Sequence, residues 1–411
     1  MFDRRDFLRS TGLMAWSATA PVFLAQTARA AGYADVPGTS DTILVMVQLT
    51  GGNDGLNTVI PFTDPLYAQY RPTIKIAKDQ IKKVDDSIGL HPALDGLAKM
   101  LEKQALCIVQ GVGYPNPSQS HFRSMDIWQA ASTDETLAEG WLGKALKQKS
   151  VGAFHLAGPN ESAPLALSGA PVRAPSITSL EDFRLKLTAA NRTETKMQKS
   201  IIEGSADPSP PSDDLLNFVK RTATNTYEAS QRLQDIGKNY QPRSPYPQTG
   251  LANRLKLAAQ LIDAELGARI FYVSIDGFDT HSSQGGAQGA HANLLREVGD
   301  AIHAFYTDLA ARGHGDRVLI ATFSEFGRRA KENGSRGTDH GSGAPMFLVG
   351  GKVQPGLIGQ HPRLDQLEQG NLKHAIDFRS VYSGILENWL HVDGKSVLGN
   401  VYPPVASFKP L

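Results

Sequence analysis

Phe271-Tyr272-Val273-Ser274-Ile275-Asp276-Gly277-Phe278-Asp279-Thr280-His281 runs from an apolar, β-rich stretch straight into a crowd of metal-type ligands. The run 269–275 suits a strand buried on both faces of a parallel sheet, and Gly277 lets the chain turn sharply at its carboxyl end. Open α/β sheets place their sites at that edge. Asp276, Asp279 and His281 offer hard carboxylate oxygens beside an imidazole, a set that suits a divalent cation, zinc or manganese better than calcium. The same residues also fit an Asx-type turn closed by its own polar side chains.

The pattern recurs on either side. Residues 42–49 are a near-continuous apolar run ending in Thr50-Gly51-Gly52-Asn53-Asp54-Gly55, where Asp54 is either a ligand at a strand end or part of an ordinary Asp-Gly turn. A third strand is expected at 106–112. Beyond the break at 113–117, Ser118-Gln119-Ser120-His121-Phe122-Arg123 feeds a helix start. There Ser120 can be a nucleophile or a cap, Arg123 can clamp an oxyanion, and His121 can ligate a metal or fill a polar pocket. The run 317–323 stops at Ser324-Glu325-Phe326-Gly327-Arg328, and Gly337-Thr338-Asp339-His340-Gly341 precedes a last apolar run, 344–349. Asp339 and His340, bracketed by flexible residues, can turn toward a site.

Helical spacing at 92–103, 251–266 and 294–309, with a closing helix at 377–391, alternates with these strands. The fold class expected is therefore α/β: a three-layer α/β/α sandwich with a mostly parallel central sheet. Right-handed crossovers bring every strand's carboxyl end to one edge. The Gly- and Gln-rich loop 282–289 is long enough to move over a site there. Residues 151–248 read as a partly helical insertion, with short strands at 154–157 and 165–167, helices near 180–202 and 215–236, and a proline-rich linker at 205–212.

The chain has 411 residues, enough for a large core, and 42 Lys plus Arg against 41 Asp plus Glu. That balance gives no reason to expect nucleic acid as a partner. The lone Cys107, inside an apolar run, rules out an intrachain disulfide. At the start, Asp3-Arg4-Arg5-Asp6-Phe7-Leu8 precedes an apolar stretch and Ala28-Arg29-Ala30, which fits cleavage before Ala31. Residues 1–30 thus resemble a twin-arginine export signal, followed by a single domain at 31–411. The expectation is a periplasmic or secreted protein with no transmembrane helix in the mature chain, and the twin-arginine translocase as its partner during export.

The order of these motifs resembles a bacterial family of twin-arginine-exported proteins known only as a domain of unknown function, DUF1501. That family is itself similar to the alkaline phosphatase superfamily of phosphatases and sulfatases. The resemblance implies an alkaline-phosphatase-like fold. It implies metal ligands drawn from Asp54, Asp276 or Asp279, His281, Glu325, Asp339 and His340, and Ser120 as a metal-activated nucleophile. Phe326 stands where the superfamily commonly has a metal-binding histidine, so one metal site is expected rather than two, with Arg123 or Arg328 supplying positive charge to the anion. The implied activity is hydrolysis of phosphate or sulfate esters, with an anionic small molecule or polysaccharide ester as substrate. The alternative is an inactive envelope protein of the same fold that binds an anionic ligand or a partner.

Overall fold

The computed structural model describes residues 42–149, 151–159, 161–171, 174–180, 239–265 and 267–409. The expected export signal, the linker 205–212 and, apart from Leu180, the helices expected near 180–202 and 215–236 lie outside them. In chain order the strands are β1 Ile43–Leu49, β2 Val59–Ile60, β3 Lys82–Lys83, β4 Gly89–Leu90, β5 Leu106–Gly113, β6 Gly152–Leu156, β7 Ser176–Ile177, β8 Ala268–Ile275, β9 Val318–Phe323, β10 Ala344–Val349, β11 Gly356–Ile358 and β12 Ile376–Asp377.

Apolar residues occupy successive positions of β1 because both faces of this strand are covered. Ile43, Val45, Val47 and Leu49 pack into one core, beneath the helices Asp95–Glu102, Gly250–Asp263 and Ala290–Ala310. Leu44 and Met46 point into the other, against the helices His121–Ala130, Trp141–Lys149 and Phe378–Gly384. This is the three-layer α/β/α sandwich expected of a parallel sheet.

The nine-stranded sheet runs in the order β11-β5-β10-β9-β1-β8-β6-β7, with β12 also on β5. All its pairings are parallel except those of β10, which lies antiparallel to both β5 and β9. The expectation that every strand points one way is corrected here, and the reversal has a consequence for the site. Because β10 runs backwards, its beginning, not its end, lies at the carboxyl edge of its neighbours, where Ala344 faces Val112 near the end of β5. His340, just ahead of β10, is thereby delivered to the same edge as the residues that follow β8 and β9.

Three other local expectations change. Leu165–Leu167 is a 3-10 turn, not a strand. β6 and β7 belong to the central sheet through β8, so the sheet extends into the segment read as an insertion. The closing helix gives way at Ile385–Trp389 to a π-helical turn. No helix among the described residues is long and apolar enough to cross a membrane.

Candidate metal centre

Beyond the ends of β8 and β9, side chains from three segments converge. Asp279 and His281 follow β8, His340 precedes β10, and His121 opens the helix His121–Ala130. Gly51, at the end of β1, has φ of 117°, and a Cβ there would sit 2.4 Å from the Asp279 amide. Only glycine permits that approach, which sets the backbone of Asp279 against the end of β1.

Asp279 Oδ1 is the hub. It lies 3.1 Å from His281 Nε2, 3.3 Å from His340 Nε2 and 3.5 Å from His121 Nε2, while His281 Nε2 and His340 Nε2 are 2.8 Å apart. The ligand atoms of His121, Asp279 and His340 all fall within 4.8 Å of one another. A tetrahedral ion with bonds of about 2.0–2.1 Å separates its ligand atoms by about 3.3 Å, so the three distances to Asp279 fit one, whereas His281 and His340 stand closer together than that and His281 is not one of the set of three. Asp279's side chain is 46% exposed, which leaves the cluster open to solvent on one side.

The outer contacts place a proton on the Nδ1 of each imidazole. His121 Nδ1 donates to Glu325 Oε1 at 2.8 Å, His340 Nδ1 to the Gln119 carbonyl at 2.8 Å, and His281 Nδ1 to Asp339 Oδ1 at 3.3 Å. Each acceptor is a carboxylate or carbonyl oxygen that can only accept, so every Nδ1 carries a proton, and in a neutral ring Nε2 is then the lone pair that a metal takes. Backing of this kind is what orients metal-ligating histidines. Two Nε2 atoms 2.8 Å apart share either a proton, as an N–H···N hydrogen bond, or a metal cation.

The charges around the cluster agree with that arrangement. Burial would raise the Asp279 carboxyl, but the Arg328 guanidinium, 2.6 Å away, outweighs it and with His281 and His340 holds the group below the usual carboxylate range. Burial, aided by Arg328 and His121, lowers His340 and favours its neutral, ligating form. Asn333, which donates to Asp339 at 2.9 Å, does most to hold that carboxyl down, with help from His281 and the exposed Arg329.

Several residues expected at the centre have other positions. Glu325 is fully buried and accepts from the Gly51 amide as well as from His121, so it stands behind an imidazole rather than facing the ion position. Asp339 has the same relation to His281. Arg328, expected to clamp an anion, is 1% exposed and donates to the Gly51, Gly52, Phe278 and Thr338 carbonyls and to Asp279. Arg123 points to Thr133 and Glu135. Asp276 is exposed and shares none of the contacts that join the cluster. Ser120 is exposed too. It occupies the N-cap position without making a side-chain capping bond, between Gln119, which holds His340, and His121. Phe326 packs its ring against His121 and His340, at 4.9 and 4.7 Å between centroids, and forms an apolar wall. His121, which the sequence offers as a ligand or as filler of a polar pocket but which is not among the ligands the resemblance implies, takes part in the cluster.

Asp54 lies outside the cluster. It is fully buried, pairs with Arg71, accepts from Gln284 Nε2 at 2.6 Å and caps a short helix through Asn57. Burial opposes its charge, but Arg71, His291 and Gln284 prevail and hold its pKa down to about 2. Gln284 also accepts from Thr280 and Thr338, so the loop expected to move over the site is fastened to the core in its middle.

Next to Asp54, His291 donates from Nε2 to Asn53 Oδ1 at 2.9 Å and leaves Nδ1 buried with no partner. Burial depresses its pKa to about 3 from 6.5, against the pull of Asp54. Between those values the unfolded chain takes up a proton that the folded chain refuses, so stability falls as pH drops through the window. We expect the wild type to lose about 2 kcal/mol more than His291→Gln between about pH 7.5 and about pH 5. Urea unfolding of both proteins at the two pH values checks this, and equal losses would contradict it.

Among curated proteins none matches this chain. Among solved structures its arrangement is similar to that of the PsFucS1 sulfatase from Pseudoalteromonas sp., with a TM-score of 0.36, 11% identity, and 92% of this chain and 71% of that one covered. The lipoteichoic acid synthase LtaP from Listeria monocytogenes aligns with a TM-score of 0.35 and 10% identity over 90% of this chain and 77% of that one. The alkaline phosphatase from the Antarctic bacterium TAB5 aligns with a TM-score of 0.29 and 14% identity over 76% of this chain and 92% of that one. Residues 41–383, which hold every side chain of the cluster and the strands that carry it, match the family model described as Protein of unknown function (DUF1501), and the chain belongs to that family.

Proposed function

We propose that the chain is an exported, metal-dependent hydrolase of phosphate or sulfate esters, with His121, His281, His340 and Asp279 holding a single divalent ion. The observation that carries this reading is the pair of Nε2 atoms 2.8 Å apart beside Asp279 Oδ1, each imidazole backed at Nδ1 by an oxygen acceptor. Three imidazoles and one carboxylate suit zinc or manganese and suit calcium poorly. A bound ion would supply a Lewis acid that polarises an ester oxygen and lowers the pKa of a nearby hydroxyl.

The chain's own part follows from position. Ser120 Oγ is exposed at the start of a ten-residue helix, where unpaired backbone N–H groups favour an approaching anion. In this reading it attacks phosphorus or sulfur, the ester oxygen departs as the alcohol carrying the proton that Ser120 gives up, and water then cleaves the serine ester. Glu325 and Asp339 keep His121 and His281 in the ligating tautomer. Replacing Glu325 by Gln is expected to weaken zinc binding by about 10–100-fold, measured by competition with a chromogenic chelator; unchanged affinity would remove Glu325 from this role.

Arg123 faces Thr133 and Glu135, and Arg328 is engaged by Asp279 and four backbone carbonyls, which favours a second reading in which the same centre binds an anionic ligand without turning it over. Turnover of an aryl phosphate and an aryl sulfate by wild type, Ser120→Ala and His281→Ala separates the two. Activity lost in both variants supports the hydrolase, and metal binding without turnover by the wild type leaves only the binder.

A further inference from the structure

At the far edge of the sheet a second group of reactive side chains lies outside the metal cluster. His155 on β6 is fully buried and pairs in register with Ser176 on β7. Its Nδ1 lies 2.8 Å from Ser176 Oγ, and its Nε2 faces Glu161 Oε1 at 3.4 Å. Glu161 is held from two other directions, by the Ser274 hydroxyl and by the Gly158 amide at 2.6 Å. Nε2 has no hydrogen bond of good geometry, so that carboxylate is the group that decides its proton. A lone pair aimed at a carboxylate in a buried setting is repelled, whereas an N–H is attracted. The proton therefore sits on Nε2, Nδ1 is the bare acceptor, and the Ser176 O–H donates to it. Ser176 itself is exposed.

We propose that Ser176, His155 and Glu161 form a second, metal-independent site whose serine attacks carboxylic esters. Ser176 Oγ bonds to the carbonyl carbon while its proton passes to His155 Nδ1. The bond to the alcohol oxygen breaks, and the departing alkoxide takes that proton. Water then repeats the exchange, giving the free acid and restoring Ser176. Glu161 touches no reacting atom; it is a positioning residue that fixes the tautomer and stabilises the imidazolium formed in each half of the cycle. Glu161 at 3.4 Å is within ion-pair reach of the imidazolium, and such contacts tighten when substrate binds.

The test is labelling of the full chain with a fluorophosphonate probe, located by mass spectrometry. Ser176 is expected to carry the label, at a rate that rises with pH as an imidazole deprotonates and that is unchanged in EDTA. Ser176→Ala should lose the label. Glu161→Gln, which preserves shape, should slow labelling by about 100-fold or more and displace its pH profile. An unlabelled Ser176 in the folded wild type, equal rates in Glu161→Gln, or labelling abolished by EDTA would each overturn the proposal.

Discussion

A His340→Ala protein is expected to lose its metal and its ester turnover together while keeping its fold. His340 is partly exposed on the loop ahead of β10. That loop is tied down without its imidazole, by the Gly341 amide donating to the Gly327 carbonyl and by the Ser342 hydroxyl donating to the Leu372 carbonyl. What the substitution removes is one of the paired Nε2 atoms and one of the neighbours of Asp279 Oδ1. Loss of a ligand should weaken metal binding by more than the roughly 10–100-fold that follows loss of an outer hydrogen-bond partner. Metal analysis of the purified variant, with circular dichroism as the control for folding, checks it. A variant that keeps both the ion and the activity would take His340 out of the centre.

The largest stability effect is expected from the buried pair of Asp54 and Arg71. Both side chains are fully buried, and Arg71 also donates to the Ala330 and Arg329 carbonyls at 3.0 Å each. Truncating either partner leaves a charge in the core with its counterion gone, which costs about 3–5 kcal/mol. Asp54→Ala and Arg71→Met should each lower Tm by roughly 5 °C. The double variant should be destabilised by less than the sum of the two, since it strands neither charge. Losses below about 1 kcal/mol in the single variants would mean the pair is not the anchor of this region.

The strands were the most legible part of the chain because each central one is buried on both faces, and a doubly buried strand is written as an uninterrupted apolar run. β1, β5, β8, β9 and β10 all follow that rule. Direction is not written that way. Nothing in Ala344–Val349 says that it runs against its neighbours, and that reversal is what brings His340 to Asp279 and His281. β7 has only two residues, too short to show a pattern.

At the centre, Asp279, His281 and His340 were visible as polar residues just outside strands. Which polar residue faces outward was not. Asp54 and Arg328 look like site residues in the sequence, but each has its charge answered inside the protein, by Arg71 and by Asp279 respectively. Glu325 and Asp339 have the chemistry of ligands and the position of acceptors behind imidazoles, a difference only the rotation of His121 and His281 reveals.

The most direct test is a titration of metal-free wild type with Co2+, followed by visible absorption. Convergence of His121, His281, His340 and Asp279 on one cation predicts an intense band of tetrahedral type that saturates at a single ion per chain, is displaced by zinc, and is lost in His281→Ala. A wild-type protein that develops no saturable band, or a His281→Ala protein that develops the same one, would contradict it.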